Sequence, residues 1–304
     1  MMRIGSRGSQ LALWQANHIA DRLRSLGHEV SIEIIRTTGD AMQHVAFAKV
    51  GSKGMFTKEI EEALLENRID LAVHSLKDLP TELGPAFAIA AIPERVDPRD
   101  AFLSARCESF AALPSGARVG TSSLRRRAQL RAYRHDLRFE EFRGNVDTRI
   151  RKMVEGQVDA IILASAGLER LGLTEYRREC FAPQILCPAA GQGALAIETR
   201  AEDTSTMDAM LALDDAATRY AVTAERVALA ALGGGCQVPI GVHCTPVPGM
   251  DAYSIAGVVA APEGGRVIRV EFEDRRGDAL ELGQKLADEL LRQGARSILE
   301  AMAL

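Results

Sequence analysis

One pattern constrains this chain more than any other: short apolar strand segments alternate with helical segments, and one strand–turn–helix unit occurs twice. In the first copy, Arg3 to Ser6 reads as a strand and Ser9 as a helix N-cap. Leu13, Ala16, Ala20, Leu23 and Leu26 then recur at helical spacing until Gly27 stops the helix. In the second, Arg118 to Gly120 reads as a strand, Thr121-Ser122-Ser123 as a turn and cap, and Leu124 to Tyr133 as a helix. Further strands are predicted at 30–35, 69–73, 87–92, 137–142 and 160–163, with helices at 58–66 and 146–155. Residues 37–54 lack periodicity and read as a glycine-containing loop. Such alternation predicts α/β lobes with parallel sheets.

Two stretches read as linkers, 93–100 (PERVDPRD) and 188–193 (PAAGQG). Beyond them come a strand at 194–198 and a helix at 215–232 stopped by Gly233-Gly234-Gly235. Strands at 240–244, 253–259 and 267–272 follow, then one long helix over 277–302. Strands grouped before a helix predict a small separate α+β domain. The expected division is 1–93 with 194–213, then 94–193, then 214–304.

Composition narrows the class. A chain of 304 residues with 47% hydrophobic and 26% charged residues is not a disordered one. A net charge of −4 argues against a general nucleic-acid binder. The average hides local structure, however. There are 31 Arg and 6 Lys, and residues 118–151 hold ten Arg against four acids, a window of +6. Lys49, Lys53, Lys58 and Lys77 form a second cluster. A GC-rich coding sequence accounts for the bulk excess of arginine but not for its placement. Five cysteines without CxxC spacing fit a reduced intracellular protein. The N-terminus carries no secretory pattern and no apolar run reaches membrane length, so a cytoplasmic location is expected.

Three constellations could carry chemistry. Arg7 with Ser9, Ser123 with Arg125 and Arg126, and Arg143 with Asn145 and Arg149 fall at strand ends and helix starts. Backbone N–H groups there favour anions, and arginine grips carboxylate or phosphate with two bonds. The plainer reading, a solvated basic helix face, covers Arg127, Arg131, Arg134 and Arg138. His74-Ser75-Leu76-Lys77-Asp78 follows a strand's carboxyl end, a common place for reactive groups, although a turn carboxylate before Pro80 fits Asp78 as well. Gly233 to Pro239 could project the Cys236 thiol, whereas a lone cysteine is more often a small buried hydrophobe. Cys236, His243 and Cys244 match no standard zinc spacing, so no metal is expected.

Taken in order, these segments resemble the porphobilinogen deaminase (hydroxymethylbilane synthase) family. The matching stretches are Ala12 to Ala16, Lys49 to Gly54, His74 to Pro80, Val119 to Arg126, Phe142 to Val146 with Arg149, Gly191 to Gly193, and Gly234 to Gly241. The resemblance implies two lobes like type II periplasmic binding proteins plus a small C-terminal α+β domain. It implies a transferase that joins four porphobilinogen molecules head to tail, releasing ammonia, to give the linear tetrapyrrole hydroxymethylbilane. It implies a dipyrromethane cofactor joined by a thioether to Cys236, with Asp78 and Lys77 in the chemistry. Lys77, Ser123, Arg125, Arg126 and Arg149 would bind the cofactor. Arg7, Ser9, Arg143, Arg149 and Arg170 would bind substrate pyrroles. Lys49 and Lys53 would ride on a mobile loop, and the lobes would shift about the two linkers during elongation. A monomer with neither membrane nor nucleic-acid partner is implied. Arginines suit this chemistry because every pyrrole carries an acetate and a propionate. Two other classes compete: a non-enzymatic anion-binding protein of the same fold, and a nucleic-acid binder using the 118–151 arginines.

Overall fold

The computed structural model describes residues 1–37, 57–234 and 238–302. It divides into two compact units, residues 1–95 with 194–219, and residues 96–193 with 220–302 of the described chain.

The first unit is built on strands β1 (Met2–Ser6), β2 (Val30–Ile34), β3 (Leu71–Ser75), β4 (Phe87–Ala91) and β10 (Leu195–Arg200), ordered β2-β1-β3-β10-β4. Strands β1, β2 and β3 are parallel, whereas β10 runs antiparallel to both β3 and β4. Helices α1 (Gln10–Ser25), α2 (Lys58–Leu65) and α6 (Thr204–Met210) accompany the sheet. Alternation along β3 sends Leu71 and Val73 into a cluster with Ile19 and Leu23 of α1, and Ala72 into one with Ile60 and Leu64 of α2. At β3 the sheet is thus covered on both faces, which is what lets Leu71, Ala72 and Val73 be apolar in succession.

The second unit repeats this plan with β5 (Asp100–Leu103), β6 (Arg118–Gly120), β7 (Arg138–Glu140), β8 (Ala160–Ala164) and β9 (Arg177–Cys180), ordered β7-β6-β8-β5-β9. Here β5 is the antiparallel insert between β8 and β9. Ala160 and Ile162 of β8 pack with Leu130 of α3 (Leu124–Tyr133). Ile161 and Leu163 pack with Ile150 and Met153 of α4 (Val146–Val154) and Leu168 of α5 (Ser165–Leu171). The same unit holds an antiparallel sheet β11 (Ile240–Pro246), β12 (Ala252–Ala260) and β13 (Val267–Arg275). Against it lie α7 (Ala216–Ala231), α8 (Ala279–Arg292) and α9 (Ala295–Glu300). The other face of β12 brings Val258 and Ala260 onto Ala128 and Cys187.

Three expectations change. Both larger sheets are mixed rather than parallel, because the strand that follows each passage between the units enters antiparallel. Asp100, placed by the sequence reading at the end of a linker, is instead the fully buried first residue of β5. The long terminal helix is two helices, broken at Gly294, whose φ of +96° is costly for any residue with a Cβ. Strand β9 and helices α5 and α6 carry no periodicity long enough to be read and were not anticipated.

Candidate active site

In the first unit, two strand ends position the polar groups. After β1, Arg7 is half-buried and Ser9 caps α1, its Oγ accepting the Ala12 N–H at 3.3 Å. No acid stands in the first turn of α1, so its positive N-terminal end is uncompensated by its own helix. After β3 comes one turn of 3₁₀ helix, Leu76–Asp78. Leu76 is fully buried and its N–H donates to Ala194 O at 3.0 Å. The buried Leu79 donates back to Leu76 O at 3.2 Å. These anchors leave Lys77 half-buried and Asp78 exposed. Gln15 of α1 donates to Ser75 Oγ at 2.8 Å, tying the helix to the same strand end.

His74, one of the motif residues, does not join Asp78. It is buried in β3 and its Nε2 lies 2.9 Å from Oε2 of the fully buried Glu198 on β10. Glu61 of α2 belongs to this cluster: burial and the neighbouring Glu198 carboxylate push its carboxyl up.

In the second unit, Ser123 caps α3, its Oγ accepting from the Arg126 N–H at 3.4 Å, and again no acid occupies the first turn. Arg125 and Arg126 are turned inward. Arg125 NH1 donates to Asp100 Oδ2 at 2.7 Å and to Cys187 O at 2.7 Å. Arg126 Nε donates to Asp100 Oδ1 at 2.9 Å and its NH1 to Ile162 O at 3.1 Å. Three buried groups therefore hold two positive charges and one negative. The adjacent Cys187 thiol adds no charge, since burial pushes it up to about 12.

Arg143 is half-buried and engages Glu141. Arg149 is half-buried on α4, one turn beyond the Asn145 cap. Arg170 is buried on α5, its NH2 donating to Gly193 O at 2.8 Å, and burial lowers its guanidinium to about 10. Gly193 is obligatory there: it has φ +88°, and a Cβ would stand 2.5 Å from Val96 O.

The structure thus gathers Ser123, Arg125 and Arg126 around one helix start, and Arg7, Ser9, Lys77 and Asp78 at two strand ends of the other unit. Cys236, Lys49 and Lys53 lie outside the described residues. The sequence reading missed Asp100, for which the charged stretch 93–100 offered no local signal.

Polar groups at the strand ends of two mixed sheets, with a small antiparallel sheet beside helices, define an α/β protein of the two-lobed kind with an added α+β part. The chain belongs to the porphobilinogen deaminase family. Residues 2–208 match the family described as porphobilinogen deaminase, dipyromethane cofactor binding domain, and residues 219–292 match its C-terminal domain. The porphobilinogen deaminase of Nitratidesulfovibrio vulgaris strain DP4 is 51% identical over 98% of this chain and 95% of that protein. That of Roseiflexus sp. strain RS-1 is 50% identical over 97% of each. Among solved structures, the methionine binding protein MetQ aligns with a TM-score of 0.45 and 12% identity over 70% of this chain and 89% of that one.

The cofactor this family carries bears carboxylates, and the donor set suits it. The excess positive charge of Arg125, Arg126 and Asp100 matches an anionic side chain, as does the acid-free start of α3.

Proposed function

We infer that this chain is a porphobilinogen deaminase: it polymerises four porphobilinogen molecules into hydroxymethylbilane with loss of ammonia, on a covalently bound dipyrromethane primer. The observation that carries this is the family match over residues 2–208 and 219–292. The bound dipyrromethane supplies the pyrrole carbon to which the first substrate is joined.

The residues of the chain then have separable tasks. Asp78 presents an exposed carboxylate on a turn fixed by buried Leu76 and Leu79. Its oxygens accept hydrogen bonds from pyrrole N–H groups and stabilise positive charge as it develops on the ring during coupling. A fixed charge aimed at developing charge lowers the barrier because it need not reorganise. Lys77 binds a cofactor carboxylate beside it. Ser123, Arg125, Arg126 and Arg149 hold the cofactor's acetate and propionate groups, and Arg7, Ser9, Arg143 and Arg170 those of the substrate pyrroles. Cys236 is the thioether anchor.

Three sheets support a division into domains 1–93 with 194–213, 94–193, and 214–304. Among the described residues no helix is long and apolar enough to cross a membrane. We take the enzyme to be a cytoplasmic monomer acting on a small molecule without nucleic acid, and size-exclusion chromatography with light scattering checks its mass in solution.

Intact-mass spectrometry tests the whole reading. The purified denatured protein should exceed its sequence mass by a dipyrromethane, and brief exposure to porphobilinogen should add pyrrole increments. A mass equal to the sequence in both states overturns it.

A further inference from the structure

The inward-turned arginines converge on a residue that none of the family motifs contains. We propose that Asp100 is a positioning residue for the cofactor, setting the directions of the Arg125 and Arg126 guanidiniums, with Gln192 holding its carboxylate in place. This rests on the reading above that the two arginines bind cofactor carboxylates.

Asp100 has no exposed surface. Its Oδ2 accepts from Arg125 NH1 at 2.7 Å. Its Oδ1 accepts from Arg126 Nε at 2.9 Å and NH2 at 2.8 Å, from Arg125 NH2 at 3.2 Å and from Gln192 Nε2 at 3.0 Å. Gln192 is pinned in turn, its Nε2 donating to Pro98 O at 2.6 Å. This gives Gln192, in the Gly191-Gln192-Gly193 stretch, a task that the sequence left unassigned.

Two consequences follow from elementary electrostatics. An arginine has many rotamers, so a planar donor fork is specific only when other contacts fix it. Asp100 fixes two forks at once. It also lets two like charges share one buried place, where they would otherwise repel and turn apart. One carboxylate against two guanidiniums leaves a single positive charge, so the pair is both oriented and still attractive to an anion. A second aspartate would neutralise it, and an apolar residue would leave it disordered.

The test uses Asp100→Asn, which keeps the shape and removes the charge. Wild-type and variant proteins are purified, the folded soluble fraction is isolated, and both the adduct-bearing fraction and Tm are measured. The wild type should be fully loaded. The folded variant should carry the adduct at least about thirtyfold less often, as for loss of a buried charge partner. Full loading of folded Asp100→Asn, whatever its Tm, overturns the proposal, because a residue needed only for stability would leave loading of folded chains untouched. Should Asp100→Asn yield no folded protein, Gln192→Met decides, since it removes one donor to Asp100 and leaves both ion pairs. A reduced adduct fraction at near-normal Tm supports the proposal, and complete loading overturns it. A wild type without adduct would refute the cofactor chemistry itself, so the two failures are distinguishable.

Discussion

At the end of β3, Asp78 stands exposed on a single turn. At the ends of β6 and β8 the opposite holds: Arg125, Arg126 and Arg170 are buried and bound to protein groups. The roles proposed above account for the difference. A carboxylate that meets charge developing on a ligand must be reachable, and one whose position is set by buried leucines on either side can afford exposure. A guanidinium that defines where a carboxylate sits must be held still, and burial among acceptors does that. Burying an ion is expensive, several kcal/mol each, and only close partners such as Asp100 make it tolerable.

This contrast can be broken by substitution. Asp78→Asn should reduce hydroxymethylbilane formation by about 10²–10³-fold, as for loss of one preorganised stabilising group. Its unfolding free energy should change by less than about 0.5 kcal/mol, as for an exposed residue, which a urea titration measures. Near-normal turnover would remove Asp78 from the chemistry. Asp100→Ala should act the other way round, losing about 3–5 kcal/mol of stability because two buried guanidiniums lose their counter-charge. A loss no larger than that of Asp78→Asn would show that the pair is not truly desolvated. Gly193→Ala should destabilise by about 1–3 kcal/mol, since the position demands a left-handed backbone and the new methyl meets Val96 O. Thermal unfolding of the variant is the measurement, and an unchanged Tm would mean that the loop carrying Gln192 can relax.

The last effect concerns pH. Burial raises the Cys187 thiol to about 12, against about 8.5 in an unfolded chain. The unfolded state therefore gives up this proton first. The thiol's contribution to stability is fully present below about pH 8.5 and is lost as pH rises from there toward 12. Cys187→Ala should flatten that part of the alkaline stability curve, and a thiol reagent at pH 8 should label Cys187 only on unfolding. Rapid labelling of the native protein would contradict its burial.

Much of the local structure was legible in the chain. The helix over 124–133 and its Ser123 cap agree with the reading residue for residue, and Ser9 caps α1 as expected. Cap chemistry and helical spacing act over three or four residues, so one sequence contains the whole signal. Helix α5 has seven residues, with Gly167 inside it, too few to show a period. Strand β5 is four residues long and follows a proline-punctuated stretch, so composition pointed to a linker. The site divides the same way. Placing Arg125 and Arg126 at a helix start needed only neighbours in sequence. Their inward turn depends on Asp100, 25 residues before Arg125, and on Gln192, 67 residues after it.

The sequence by itself determined most of the longer helices and strands, the caps at Ser9 and Ser123, and which family the chain joins, because these depend on local spacing and on ordered motifs. Only the tertiary structure decided that both larger sheets are mixed, that His74 pairs with Glu198 rather than facing ligand with Asp78, and that one aspartate governs two arginines. A formal charge is written in the sequence. Whether it is solvated, paired or buried depends on groups brought from distant positions, and that is settled only when the chain has folded.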